Sequence, residues 1–261
     1  VSRDGVCISI APNGYFEVAA VATLSVFSQG KRVGTVYLAT PPEENQTALS
    51  KQLTALLVDV IRSHGDQLGQ IAYVSDAGKV ETAYWRNVLS KLSVDGVRIP
   101  IERTLDYYHA SLRLTTISEC LKISSKHKEK WLKAVRSLLK QERGWGRVMR
   151  SISKMQELYG IRKSMMAEFR KAVTYLRNHR RFMSYSSKHS RGLLIGSGIV
   201  ESACKQIVSE RMKLSGMRWK LPGMRDILTL RSILLSQTWK ANFEKSLLNN
   251  SPVEIQYSCA A

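Results

Sequence analysis

Over residues 1–40 the chain alternates apolar and polar positions or runs apolar in short blocks, with breaks at 11–14 (Ala-Pro-Asn-Gly) and at Gln29-Gly30. A period of two with turn residues at the breaks predicts three antiparallel strands, over 1–10, 15–28 and 32–40. Pro41-Pro42 and Glu43-Glu44 end this meander. From 45 to 64 the period becomes helical, with Leu49, Leu53, Leu56, Leu57, Val60 and Ile61 on one face. Residues 70–75 are a short, almost wholly apolar run of the kind a buried parallel strand shows, ending at Asp76-Ala77-Gly78. A second helix is predicted over 80–92, carrying Tyr84, Trp85, Val88, Leu89 and Leu92, and a fifth strand over 98–105 that ends at Asp106-Tyr-Tyr-His109.

The order β-β-β-α-β-α-β builds a mixed five-stranded sheet with helices packed on it. That is the plan of the ribonuclease H-like fold, in which acids from the first and fourth strands face each other. Here those strands carry Asp4 and Asp76. Residues 110–190 give only helical signals and contain no proline, with helices expected around 129–141, 145–158 and 161–179. Trp131, Trp145 and the neighbouring tyrosines fall at helical spacing and read as core. Residues 184–191 are polar and read as a loop leading to Gly196-Ser197-Gly198.

A further helix follows, with Ile199, Val200, Ala203, Cys204, Ile207, Val208 and Met212 on one face, ending near Gly216. Ser197 or Gly198 is placed to cap it, and Glu201 lies in its first turn. A carboxylate there is favoured by the helix dipole, so capping alone accounts for it as well as chemistry does. A last helix over 224–236 is expected to turn Ile227, Leu228, Leu230, Ile233 and Leu234 inward. The chain thus divides into a core at 1–109, an all-helical insertion at 110–191, returning core helices at 192–248 and a weakly patterned tail at 249–261.

Charge sharpens this division. The chain of 261 residues carries a net +19, and the excess is concentrated: residues 1–109 are at −1, 110–192 at +16 and 193–261 at +4. A charge run is most often a solvated helix face. In the middle segment, however, 21 basic residues meet only 5 acids, so a polyanionic partner is expected, with nucleic acid before membrane. No stretch is long and apolar enough to span a bilayer. The four cysteines are scattered without zinc-type spacing, which points to a reducing compartment and no structural metal. Val1 opens inside a strand pattern with neither an initiator Met nor a signal-peptide pattern, so the chain reads as part of a longer one.

Asp4, Asp76 and Glu201 are the candidates for chemistry. Two-metal phosphoryl transfer needs two or three converging carboxylates, and Mg²⁺ prefers oxygen donors. An isolated acid near a strand end is commonly a turn former; two on the required strands, followed by a third on a helix, are a pattern. Asp106 and His109 form an Asp-x-x-His pair that could equally be a local hydrogen bond capping the next helix. His64, His127, His179 and His189 have no partner at ligand spacing and read as surface residues.

These segments resemble a known family. Ser-Arg-Asp-Gly-Val around Asp4, Tyr-Val-Ser-Asp-Ala-Gly around Asp76, Leu-Asp-Tyr-Tyr-His-Ala at 105–110, and above all residues 195–219 with the Ile-Leu-Thr-Leu-Arg-Ser helix that follows are similar to DDE transposases. The closest likeness is to the ISKra group of bacterial insertion sequences, related to the Mutator-like transposases. The resemblance implies a ribonuclease H-like core with an all-helical insertion before the last catalytic helix. It also implies Asp4, Asp76 and Glu201 as the metal-binding catalytic triad for two Mg²⁺ ions, with Mn²⁺ as a substitute. Asp106 and His109 match the C/D(2)H signature, where they would position a flipped base, help order the site or orient the acids. Lys205, Arg211, Lys213, Arg218 and Trp219 would contact the scissile strand. The expected activity is strand cleavage and strand transfer on double-stranded DNA, by a homo-oligomer acting in the cytoplasm at the nucleoid. A ribonuclease H-like nuclease or resolvase, or a transposase-derived DNA-binding protein without chemistry, are the alternatives. The N-terminal DNA-binding or zinc-binding region common in such transposases is not seen in this sequence.

Overall fold

The computed structural model describes residues 1–12 and 14–238; the expected tail at 249–261, the end of the 192–248 segment and Cys259 lie outside the described residues. Five strands, β1 (Ser2–Ile10), β2 (Tyr15–Ser28), β3 (Lys31–Thr40), β4 (Ile71–Ser75) and β5 (Ile101–Leu105), form one mixed sheet in the order β3-β2-β1-β4-β5. β1, β2 and β3 pair antiparallel, while β4 joins β1 and β5 joins β4 in parallel.

Alternation along the strands sends successive side chains to opposite faces, and each face has its own cover. On one side α1 (Thr47–His64) and α2 (Lys79–Asn87) pack over Ala20, Ala22, Leu24 and Tyr73 through Leu49, Leu53, Leu57, Ile61 and Tyr84. Each fully buried leucine of α1 contributes about 1.5–3 kcal/mol of burial. On the other side Ile8, Ala19 and Val21 meet the helix predicted after residue 197. That helix begins as α8 (Gly198–Ala203), continues as a π-helical segment (Cys204–Ser209) and ends in the α turn Glu210–Met212. It is backed by α9 (Leu221–Leu235), whose Arg231 guanidinium donates to the Gln206 carbonyl at the π-helical segment.

Between β5 and α8 lies a helical body with its own core: α3 (Tyr107–Cys120), α4 (Ser125–Leu139), α5 (Gly144–Tyr159) and α6 (Met166–Asn178). Ala110, Leu114, Ile117, Trp131, Val135, Val148, Phe169 and Leu176 close this core, so Trp131 packs inside as expected. Trp145 is half-buried against it and donates its indole N–H to the Leu176 carbonyl at 3.1 Å.

Four expectations need correction. The fifth strand is shorter than 98–105, because Pro100 lacks an N–H: Val97–Arg98 pairs instead with Ser93–Val94 in a small separate ribbon. Residues 184–191 are not a loop but contain α7 (Tyr185–Ser190), which packs through Tyr185 and Lys188, both about 1% exposed. The buried Lys188 ammonium donates to the carbonyls of Arg103 at 2.6 Å and Phe182 at 3.1 Å, tying α7 to β5. Finally, α9 turns Met224 and Leu228 inward but leaves Leu230 and Leu234 exposed, and the helix predicted to reach Gly216 stops at Met212. Cys7 is exposed, Cys120 and Cys204 are buried, and all three are free thiols. Among the described residues no helix is long and apolar enough to cross a membrane.

Candidate functional site

The parallel register gathers acids at one edge of the sheet. Ser2 lies beside Val74, and Val74 beside Thr104. Carried on two residues, the same alignment sets Asp4, Asp76 and Asp106 in one row, all on the face toward α8. Asp4 is inside β1 rather than at its end, opposite Val21, so it is held by a paired strand and not by a turn. Asp76 and Asp106 each follow the last residue of their strand, and the Asp106 N–H donates to the Ser75 carbonyl at 2.9 Å. Arg3, the neighbour of Asp4, points to the opposite face, where its guanidinium is buried on Gln46 and Ser50 and stacks over Tyr84.

Local backbone geometry explains the Asp-Ala-Gly run after β4. Ala77 adopts a left-handed conformation (φ 64°), uncommon for a residue with a Cβ, and the turn brings Gly78 against two carboxylates. A Cβ at Gly78 would fall 2.3 Å from Glu81 Oε2 and 3.3 Å from Asp76 Oδ1. From α6, the Tyr175 hydroxyl donates to the Asp76 carbonyl at 2.6 Å, so the helical body is anchored directly on this turn.

Glu201 arrives from α8. The chain before it is pinned by the Tyr107 N–H donating to the Ile195 carbonyl at 2.8 Å. Gly196 lies flat on the Tyr108 ring, where a Cβ would come within 2.9 Å. Asp106 Oδ1 accepts the His109 N–H at 2.7 Å, capping α3, and Oδ2 accepts the Ser197 N–H. Ser197 does not cap α8 with its side chain; its hydroxyl donates to Glu201 Oε1 at 2.9 Å instead.

The carboxylates fall into two kinds. Asp4 Oδ1 accepts the Gly5 N–H at 2.7 Å, Asp76 Oδ1 accepts the Gly78 N–H at 2.8 Å, and Glu201 Oε1 accepts from Ser197. Among the described residues the second oxygen of each has no hydrogen-bond partner. Asp106, by contrast, is fully buried with both oxygens occupied. One donor atom from each of Asp106, His109 and Glu201 lies within 4.8 Å of the others, close enough to surround a cation. Asp4 and Asp76 stand outside that spacing, yet they share its field.

Burial raises the Asp4 carboxyl above its usual range; Asp76 and Glu201 raise it further, while the Gly5 N–H and His109 oppose them. The buried Cys204 thiol is pushed up in the same way, first by desolvation and then by Asp4 and Glu201. Glu81, nearly buried behind Asp76, is raised by burial and by Asp76 and Asp4, with Arg3 opposing. Among the described residues no ion pair reaches Asp4, Asp76, Asp106 or Glu201, although the chain holds 40 basic residues.

These shifts fix a sign. A carboxyl whose folded pKa is raised stabilises the fold below its unfolded value of 3.8, and that contribution is lost as pH rises through the folded pKa. At neutral pH the charged Asp4 therefore costs stability. Asp4→Asn is expected to melt above the parent at pH 7, with the gap closing as the pH falls toward 4, in thermal melts followed by circular dichroism.

The residues expected to meet DNA have different surroundings. Lys205 and Lys213 are exposed. Arg211 lies over the Trp219 ring at 5.5 Å, and Arg218 donates to the Pro12 carbonyl at 3.3 Å. Trp219 is half-buried, bridging to Ile10 and donating its indole N–H to the Met212 carbonyl at 3.2 Å. Sequence reasoning missed the cleft beside Glu201, about 560 Å³ in volume and lined by Tyr107, Tyr108, His109, Leu112 and Arg136. Tyr107 and Arg136 also line a second hollow, with Lys133 of α4 and Lys140 just past its end. In comparisons with known proteins, no family model matches the chain and no curated protein matches it.

Proposed function

We propose that this chain is the catalytic domain of a DDE-type DNA transposase with a ribonuclease H-like fold, cutting and joining DNA strands at the ends of a mobile element. The observation that carries this reading is the row of acids on β1 and just past the ends of β4 and β5, which among the described residues has no ion pair in a chain of net +19. Burial, with Asp76 and Glu201 beside it, raises the Asp4 carboxyl, a cost to folding that a cation bound there would offset. The strand order and the helical body between β5 and α8 agree with the resemblance to the ISKra and Mutator-like families, and so support the same reading.

The donor set fits a hard divalent cation, because carboxylate oxygens suit Mg²⁺ and Mn²⁺. Following the resemblance, we assign Asp4, Asp76 and Glu201 to hold it, since each keeps one oxygen fixed by the protein and, among the described residues, the other without a hydrogen bond; Asp106 and His109 are the groups that stand within 4.8 Å of the Glu201 donor atom. Mg²⁺ bound there would supply Lewis-acid stabilisation of the charge that builds on the phosphoryl group. The chain's own part is positional and electrostatic. β1 and the left-handed turn after β4 fix the two aspartates, and α8 brings the third acid to them. Lys205 and Lys213, with Lys133, Arg136 and Lys140 along the cleft, would hold backbone phosphates so that one strand passes Glu201. His109, which lines the cleft with Glu201, would face the same strand. We place the protein at the nucleoid as a homo-oligomer acting on paired DNA ends.

The test is incubation of the purified protein with Mn²⁺, a labelled duplex taken from the DNA flanking its gene, and a plasmid target. Nicks exposing a 3′-hydroxyl together with joined products are expected. Cleavage without joining would replace this reading with that of a nuclease or resolvase. Salt-sensitive binding without cleavage would leave a DNA-binding protein.

A further inference from the structure

The hydrogen-bond chain from Asp106 through Ser197 to Glu201 links β5, α3 and α8 at one point. Asp106 is fully buried, and two main-chain N–H groups, one from His109 three residues on and one from Ser197 91 residues on, converge on its two oxygens. An asparagine offers one acceptor oxygen and could not satisfy both. Ser197 is 5% exposed, and its hydroxyl is spent on Glu201. Glu201 itself is an exposed side chain on the first turn of a six-residue α segment, with no ion pair among the described residues. Without the Ser197 hydroxyl a glutamate so placed would wander among rotamers, and binding would have to freeze it.

We infer that Asp106 and Ser197 are positioning residues for Glu201: Asp106 fixes the Ser197 main chain, and the Ser197 hydroxyl orients the carboxylate. The inference rests on the reading of Glu201 as a metal-binding acid. It gives the Asp-x-x-His pair a definite task, because Asp106 also caps α3 and so fixes where His109 stands. Outer partners of this kind commonly matter about 10–100-fold to affinity or activity.

The experiment compares the parent with Ser197→Ala, Asp106→Asn, the double variant and Glu201→Gln. Mn²⁺ affinity is read without DNA by electron paramagnetic resonance, alongside DNA affinity in EDTA, cleavage rate at saturating Mn²⁺, and thermal melting. Ser197→Ala is expected to weaken Mn²⁺ binding about tenfold and to slow cleavage about tenfold. Its DNA affinity and melting temperature should stay those of the parent. The double variant should be no worse than the weaker single one, because both act through one chain of contacts. If Glu201→Gln lowers Mn²⁺ affinity and Ser197→Ala does not, the positioning role is wrong and the metal reading stands. If Glu201→Gln leaves Mn²⁺ affinity unchanged, the metal reading falls and takes this inference with it. Should Asp106→Asn fail to fold, Ser197→Ala still decides, since it removes only a hydroxyl.

Discussion

Glu201→Gln, Asp4→Asn and Asp76→Asn are each expected to lower the rate of strand cleavage by about a thousandfold or more, equivalent to roughly 4 kcal/mol of transition-state stabilisation. DNA affinity measured in EDTA should change by less than about threefold in the same proteins, because the substitutions leave every lysine and arginine of the helical body in place. Each amide keeps the shape of the acid and one acceptor oxygen. The held oxygen can still take the Gly5 N–H, the Gly78 N–H or the Ser197 hydroxyl. What each substitution removes is the charge on the free oxygen. Asp4→Asn should also be the variant that gains stability at neutral pH, since burial and two neighbouring acids raise its carboxyl. A variant more stable than its parent and nearly inactive would be the signature of a site that trades stability for function. Cleavage at the parent's rate by any of the three would remove that residue from the chemistry.

Much of this arrangement is legible in the sequence, for definite reasons. Strands β1 to β3 alternate between two buried faces, and the turn residues between them leave little choice of register. β4 is nearly all apolar because it lies between two strands, with Tyr73 and Val74, on opposite faces, both buried. The acids Asp4 and Asp76 can be placed on neighbouring strands once that order is known. What could not be read is whatever depends on the chain returning from far away. Ser197 looks like a helix cap, and only the approach of Asp106 turns its hydroxyl from the backbone to Glu201. α7 is polar along its length, and its anchoring lysine is invisible until the β5 carbonyls that receive it are in place. Leu230 and Leu234 carry a helical period, yet α9 is covered on one side only, so period alone assigns too wide an apolar face. Trp219 and Arg218 stand in a basic stretch, but the start of α9 is pinned to the β1–β2 turn through them. Glu81 gives no sequence signal at all. It becomes notable only because Gly78 leaves room for it behind Asp76.

The second large effect concerns the helical body rather than the acids. DNA affinity is expected to fall by about a thousandfold or more between 50 and 200 mM salt, the range expected when six or more phosphates are contacted. The basic residues of this segment have few internal partners: its exposed ion pairs include Arg143–Glu142 at 4.0 Å and Lys171–Glu168 at 2.9 Å, and neither draws on α4. Lys133 and Lys140 are exposed there, and Arg136 is half-buried with one guanidinium nitrogen on the Thr115 hydroxyl at 2.9 Å. Lys140 also lies over the Tyr107 ring at 5.3 Å, which holds the ammonium at the mouth of the hollow leading to Glu201. A strand entering by this route would release counterions at each lysine it meets. Lys133→Ala with Lys140→Ala should therefore reduce the slope of log affinity against log salt by about 2, while changing the melting temperature little. Fluorescence anisotropy with a labelled duplex across a salt series reads both quantities. A slope equal to the parent's would move the DNA off α4, and the shared wall of Tyr107 and Arg136 would no longer connect the bound strand with the acids. A reduced slope with unchanged cleavage at saturating DNA would assign α4 to holding the strand and leave the chemistry to β1, β4 and α8.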